Sequence, residues 1–450
     1  MRRSATSAIA ETAATNGIVG GVGVVTGIIA ARWLGPQGRG ELAAIQMWPS
    51  VLASLGMIGM AEALVYFAAK RPRESRRYLS TACLLALIAM PLFAGVGYVL
   101  MPRLLTQQSP QIVQAARRYL FLLPIYAFIG LPYQVLRGVR RYRLWNAMRI
   151  VPSVLWLALL VVAMLIHVAE PARLTTAYLF ALAIVGPLLV ALVWRSVGGA
   201  ARPNLRAARD LIGFGLPSAM GSLPQFFNLK LDQILVTGMV APTQLGIYMA
   251  AVAWGSSIPM LSNAVGLVFS PRIAGGGSDA ERQRHFSHGI RGAAWLTAGA
   301  VVCLAAATPI GITIAFGRAF QAAVIPAAIL AVASGVNALN GVFEELLRGY
   351  GRPAATFRAE SAAALVGLPT LLVLVPRLGL VGAAVGSLVG YLAATSALLV
   401  ESRRVADLQL RDVLDLKGLI SSMEPVAASV LAVLRPSNTA PRDVSTIVSK

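Results

Sequence analysis

Between residues 223 and 236 the chain reads LPQFFNLKLDQILV, an apolar stretch that carries four groups able to do chemistry. Gln225, Asn228 and Asp232 recur at i, i+3 and i+7, the spacing that brings side chains to one face of a helix. A carboxylate beside two amides on such a face is a donor set for a hydrated proton or a sodium ion. Lys230 lies two residues from Asp232, about 200° around the helix, so the two cannot pair within it. It needs another partner or a wet cavity, and its chemistry is that of a cationic contact for an anion. Two structural bonds between helices would also account for these charges, but an isolated charge in an apolar span is by default functional.

Other charges stand in apolar surroundings. Glu62 lies two helical turns before the basic run KRPR at 70–73, where it faces a cavity or snorkels. Arg32 and Arg39 bracket the connection between the first two apolar stretches. Arg32 is expected at the mouth of a cavity and Arg39 in an interfacial role. Arg117 and Arg118 sit one to two turns into the fourth stretch, and one of them is expected to point inward. Glu344 and Glu345 precede Arg348 by four and three residues, spacings that form ion pairs within one helix. The candidates for substrate contact are therefore Lys230, Arg32, Arg117, Arg118, Gln225 and Asn228. Those for ion coupling are Asp232 and Glu62.

Covalent chemistry has no foothold. No nucleophile is matched with a base, and the glycine-rich GGVGVVTG at 20–27 has neither the GxGxxG spacing nor a strand before it. His285 and His288 are one turn apart, but the nearby Asp279 and Glu281 make no convincing metal set. The residues predict a carrier with no metal and no cofactor.

The elements that position these groups must be lipid-facing helices. The chain has 450 residues, 57% hydrophobic and 13% charged, with a mean hydropathy of +0.71; soluble domains carry about 25% charged residues. A net charge of +21 would suit nucleic acid only if a soluble domain presented a basic face, and none is visible. Basic residues flanking apolar spans explain it instead.

A helix needs about 20 apolar residues to cross a bilayer. Twelve spans meet that length: 14–34, 41–69, 79–101, 111–136, 146–168, 174–195, 210–239, 243–270, 290–316, 320–347, 356–376 and 380–400. With both termini on the cytoplasmic side, 30 Lys and Arg fall inside and eight outside, the latter being Arg32, Arg39, Arg103, Arg117, Arg118, Arg173, Arg318 and Arg377. Cytoplasmic loops of membrane proteins carry this excess. The expected architecture is all-α: a polytopic membrane protein of twelve helices in two six-helix bundles, residues 1–200 and 201–405, around a central cavity. A cytoplasmic tail, 406–450, contains DVLDLKGLISSMEPVAASVLAVL, which suits an interfacial helix. The start, MRRSATSAIA, lacks the apolar run of an export signal and is read as retained.

The halves echo each other. ARWLGPQGRGELAAIQMW at 31–48 returns as TGMVAPTQLGIYMAAVAW at 237–254, aligning Pro36 with Pro242, Gly40 with Gly246, Ala44 with Ala250 and Trp48 with Trp254. LRGVRR at 136–141 returns as LRGYGR at 347–352. An even number of spans per half makes this a parallel repeat about an axis along the membrane normal.

The WLGPQGRG bridge and the stretch NLKLDQILVTGMVAPTQLGIYMAA at 228–251 resemble the polysaccharide exporters of the multidrug/oligosaccharidyl-lipid/polysaccharide superfamily. The likeness runs over 14–400. It implies flipping of undecaprenyl-pyrophosphate-linked oligosaccharide across the bacterial inner membrane for O-antigen, capsule or exopolysaccharide assembly. The implied mode is alternating access driven by a proton or sodium gradient. A polysaccharide polymerase and a chain-length regulator are the implied partners. The rivals are a multidrug exporter, whose cavity would hold carboxylates for cations, and a lipid II flippase, which typically has two further spans. A membrane polymerase or ligase would need a large outer loop, and the outer loops here are short.

Overall fold

A glycine interrupts each of the two longest helices. In the computed structural model, which describes residues 5–57, 59–258 and 278–406, α1 (Ala5–Met57) passes through Gly35 at φ 67 and ψ −178. Its two arms lie side by side, since Val22, Thr26 and Ala30 share a cavity wall with Arg39, Leu42 and Gln46. The last helix, α13 (Ala354–Ala406), folds back in the same way at Gly379, φ 57. There Gly386 packs on Leu371, and Gly390 on Gly367. Left-handed backbone is cheap for glycine alone, so each glycine turns one continuous apolar run into a hairpin.

Between them lie α2 (Met60–Lys70), α3 (Ser75–Leu104), α4 (Pro110–Tyr119), α5 (Leu122–Gly138), α6 (Tyr142–Leu165), α7 (Pro171–Ser196), α8 (Leu205–Asn228), α9 (Leu231–Met239), α10 (Pro242–Gly255), α11 (Asp279–Phe316) and α12 (Val324–Gly349). Eight helical stretches among the described residues are long and apolar enough to cross a membrane, two of them the glycine hairpins. The protein is a polytopic all-α membrane protein. The expected span 210–239 corresponds to α8 with α9, and the first part of 243–270 to α10, which ends at Gly255; residues 259–270 of that span lie outside the described residues. The tail beyond residue 406 also lies outside them.

The sequence echo has a physical meaning. A Cβ on Gly40 would stand 1.7 Å from the Pro242 carbonyl oxygen and 2.9 Å from Gly246 N. One on Gly246 would stand 1.9 Å from the Pro36 carbonyl oxygen and 2.9 Å from Gly40 N. Each copy thus packs its glycine on the other copy's proline carbonyl, the reciprocity of a two-fold contact. Around this seam Thr106 Oγ1 donates to the Gly238 carbonyl at 2.9 Å, and Arg32 caps the end of α11 through the carbonyls of Ile314 and Ala315.

The second echo closes two helices alike. Arg141 N donates to the Leu136 carbonyl at 2.8 Å and Arg352 N to the Leu347 carbonyl at 3.0 Å, each spanning a left-handed residue, Arg140 (φ 59) or Gly351 (φ 75). This is the 6→1 bond of a Schellman cap. A third pair escapes a search for identical letters: His167 (φ 57) turns α6 toward α7 just as Gly379 (φ 57) turns α13 on itself.

At the opposite end from the glycine seam, α8 fastens to the first half. Tyr78 OH donates to Asp210 Oδ2 at 2.6 Å, Arg71 Nη1 reaches the same oxygen at 3.1 Å, and Tyr66 stacks on Phe214 with centroids 4.5 Å apart.

Candidate functional site: a cavity and a polar seam on two faces of one broken helix

The seventh span breaks where its charges lie. Helix α8 stops at Asn228, Leu229 and Lys230 form the link, and α9 begins at Leu231, with Lys230 N donating to the Phe227 carbonyl at 2.9 Å. Such broken spans occur where unwound backbone borders a cavity or is buried in protein. The break sends its charges to two places.

One face meets the first half across a cavity. Three adjoining hollows of about 460, 180 and 180 Å³ share walls: Gln46 lines all three, Arg39 and Ser50 two each. The lobe between the halves is lined by Arg39, Gln46, Ser50, Ser54, Phe226, Lys230 and Gln233. Lys230 Nζ reaches Gln233 Oε1 at 3.5 Å, a weak bond that leaves most of its donor capacity open. Among the described residues the Arg39 guanidinium has no hydrogen-bond or ion-pair partner. The large lobe adds Arg149 and four tyrosines, Tyr119, Tyr126, Tyr133 and Tyr178. Among the described residues, no Asp or Glu lines any of the three. The space is cationic and aromatic.

The other face is sealed inside the second half. Asp232 is buried, with Oδ2 accepting from Tyr248 OH at 2.5 Å and Oδ1 from Gln233 N at 2.7 Å. One turn back, Asn228 Nδ2 donates to both the carbonyl and Oε2 of Glu360, at 2.6 and 2.5 Å. A further turn back, Gln225 Nε2 donates to Glu344 Oε2 at 3.2 Å. Gln225, Asn228 and Asp232 share one face, and it looks into the second half rather than into the cavity.

The remaining candidates lie elsewhere. Arg32 is spent on the end of α11, as described. Arg117 Nε donates to the Tyr98 carbonyl at 3.0 Å and its guanidinium lies over the Tyr98 ring, 4.3 Å from the centroid. Arg118 lines a separate surface hollow of about 590 Å³ with Glu41 and Glu170. Neither arginine lines the three-lobed cavity. Glu62 accepts from Gly59 N at 3.1 Å and caps α2. Glu344 and Glu345 both reach Arg348, at 3.6 and 3.4 Å. Sequence reasoning missed Glu360 as a site residue and assigned Arg39 to the interface. The signal for Arg39 was its place four residues after the glycine turn, which folds it back toward the first arm.

The family model described as polysaccharide biosynthesis protein matches residues 8–275. The chain belongs to that family. No curated protein sequence matches it. Among solved structures, members of this family's fold are represented by a lipid II flippase MurJ in an inward closed conformation, with TM-score 0.74, 12% identity, and coverage of 94% of this chain and 97% of that one. An inward-facing multidrug resistance MATE transporter of the MOP superfamily gives TM-score 0.68 and 16% identity, covering 86% of this chain and 94% of that one. A MOP superfamily transporter from Pyrococcus furiosus, described as having a binding pocket of reverse polarity, gives TM-score 0.57 and 15% identity, covering 89% and 96%. At such identities these matches show a shared fold.

Proposed function

We propose that the protein flips an undecaprenyl-pyrophosphate-linked oligosaccharide across the bacterial cytoplasmic membrane, by alternating access coupled to an ion gradient. The carrying observation is the sign of the cavity: Arg39 and Lys230 line one space, and no carboxylate among the described residues lines it with them. A cavity for cationic drugs needs the opposite sign. Guanidinium binds phosphate through paired N–H donors and ammonium as a point charge, and the aromatic lobe beside them suits sugar rings or prenyl chain. Two halves of residues 1–200 and 201–405 would rock about the Gly40–Gly246 seam, which the charge bias of the loops puts on the outer side. A lipid II flippase reading shares the same chemistry and differs in the sugar. A polymerase and a chain-length regulator are the partners this role calls for.

The test is a reconstituted flipping assay. Proteoliposomes loaded with a fluorescent polyprenyl-pyrophosphate oligosaccharide should expose the label to a membrane-impermeant quencher. A polyprenyl oligosaccharide without the pyrophosphate should not move, and a cationic dye should not be expelled. Arg39→Ala should slow flipping about 10- to 100-fold, the equivalent of one or two charge-assisted hydrogen bonds. Equal transport of the uncharged lipid, or dye export in its place, would sink the reading.

A further inference from the structure

The contact between the halves at the end away from the glycine seam turns on one carboxylate. Asp210, near the start of α8, accepts at a single oxygen from Tyr78 OH at 2.6 Å and from Arg71 Nη1 at 3.1 Å, and Arg71 Nη1 also donates to the Tyr78 hydroxyl at 2.5 Å. The side chains of Arg71 and Asp210 are 29% and 28% exposed, so water reaches the pair. Ion pairs open to water contribute about 0–1 kcal/mol, little enough for a stronger anion to displace the carboxylate. Beside the pair, Tyr66 stacks on Phe214 and backbone meets backbone, since a Cβ on Gly59 would stand 1.9 Å from the Gly215 carbonyl oxygen.

The chain around this pair is basic on both sides. Residues 70–78 carry five basic side chains against Glu74, and 205–214 carry two against Asp210. Arg77 is spent on Glu74 at 3.0 Å, and Arg76 donates to the Trp194 carbonyl at 2.7 Å. Arg73, Arg206 and Arg209 are exposed and, among the described residues, meet no carboxylate within ion-pair distance. The charge bias of the loops puts this rim on the cytoplasmic side, where basic clusters beside membrane spans attract anionic headgroups. Guanidinium takes phosphate oxygens through paired N–H donors, and a pyrophosphate brings more charge than one carboxylate.

We infer that Arg71 is the first contact for the pyrophosphate of the incoming lipid, and that taking Arg71 from Asp210 opens the inner side of the protein. This rests on the flipping reading for the identity of the lipid. Arg71 belongs to the first half and Asp210 to the second. When phosphate oxygens replace Asp210 as the acceptor, its carboxylate keeps Tyr78 as a donor but stands beside a like charge. The repulsion favours parting α8 from α2. The halves then rock about the Gly40–Gly246 seam, and the way to Arg39 and Lys230 opens ahead of the lipid. A protein without lipid stays latched, which keeps other cytoplasmic anions out of the cationic cavity.

The test is a distance measurement on the full-length protein in phosphatidylcholine nanodiscs, with Cys83 and Cys303 changed to Ala and spin labels on cysteines at Arg141 and Ala354. Both sites are exposed, one in each half, beside the starts of α6 and α13. Undecaprenyl pyrophosphate should lengthen the distance, and undecaprenol, phosphatidylglycerol or pyrophosphate in solution should not. Asp210→Asn should lengthen it with no lipid added. Binding of undecaprenyl pyrophosphate separates the two partners: Arg71→Ala should weaken it about 10- to 100-fold, and Asp210→Asn, which keeps Arg71, should bind at least as tightly as the parent. Monodispersity and the thermal unfolding midpoint check that each variant is folded, and Arg71→Lys should bind between the parent and Arg71→Ala. A parent that the lipid leaves closed, equal opening by phosphatidylglycerol or soluble pyrophosphate, or parent-like binding by Arg71→Ala would each overturn the inference. If the lipid opens the parent while no saccharide is flipped, the flipping reading falls and the latch stands. If saccharide is flipped while the distance ignores the lipid, the latch alone falls.

Discussion

Lys230 and Asp232 are two residues apart and belong to different compartments: the ammonium lines the cavity between the halves, and the carboxylate is sealed against Tyr248. The break between α8 and α9 lets one turn of chain serve both. Opposite charges so close in sequence would cancel if they faced each other. Here each keeps its own partner.

Their substitutions should consequently fail in different ways. Lys230→Ala should lose flipping whether or not a gradient is applied, and Lys230→Arg should keep part of it. Asp232→Asn should retain substrate binding, measured by fluorescence anisotropy of the labelled lipid, but change the response to a gradient. Tyr248→Phe removes the donor at 2.5 Å from Asp232 and should destabilise the folded protein by about 1–3 kcal/mol. An Asp232→Asn protein that responds to the gradient as the parent does would make Asp232 structural.

The glycine seam predicts a conformational phenotype. With 1.7 Å between a Gly40 Cβ and the Pro242 oxygen, Gly40→Ala cannot close the seam without moving backbone. Spin labels placed on Gln37 and Gln244 should report longer distances in the variant, and flipping should fall with little change in protein level. An unaltered distance distribution would show the contact to be dispensable.

Arg140 holds a left-handed conformation that its counterpart Gly351 holds without strain. Such a conformation costs a non-glycine residue about 1–2 kcal/mol. Arg140→Gly should therefore raise stability by about 1 kcal/mol, less the entropy that glycine adds to the unfolded chain. Thermal unfolding in detergent measures it, and a lowered midpoint would mean the arginine side chain contributes more than its backbone costs.

Membrane orientation is open to chemistry. Cysteines at Ser109 and Gln244, both exposed, should react with an impermeant thiol reagent added to intact cells, and a cysteine at Ser278 should not. Reaction at Ser278 would reverse or break the assigned topology.

Much of this fold is legible because apolar length is a local quantity. Span limits, the turn at Gly35 and the face shared by Gln225, Asn228 and Asp232 all follow from neighbours within a dozen residues. Arg39 and Glu360 are different. Arg39 is cavity-lining only because the chain reverses at Gly35, and Glu360 matters only because Asn228, 132 residues earlier, is brought against it. Helical period says which residues share a face but not what that face meets. The Glu344–Arg348 spacing is legible in the same local way and the two side chains pair at 3.6 Å, whereas the contact of Gln225 with Glu344, 119 residues apart, is not.

The reciprocal packing of Gly40 and Gly246 also explains why this stretch still reads alike in both halves. A residue on a two-fold contact is its counterpart's environment, so a bulkier side chain in one copy must be answered by the other. Elsewhere the copies answer to unlike neighbours, a cavity lined by arginine in the first half and buried carboxylates in the second, and their letters are free to diverge. The seam is where one substitution changes the surroundings of both copies at once.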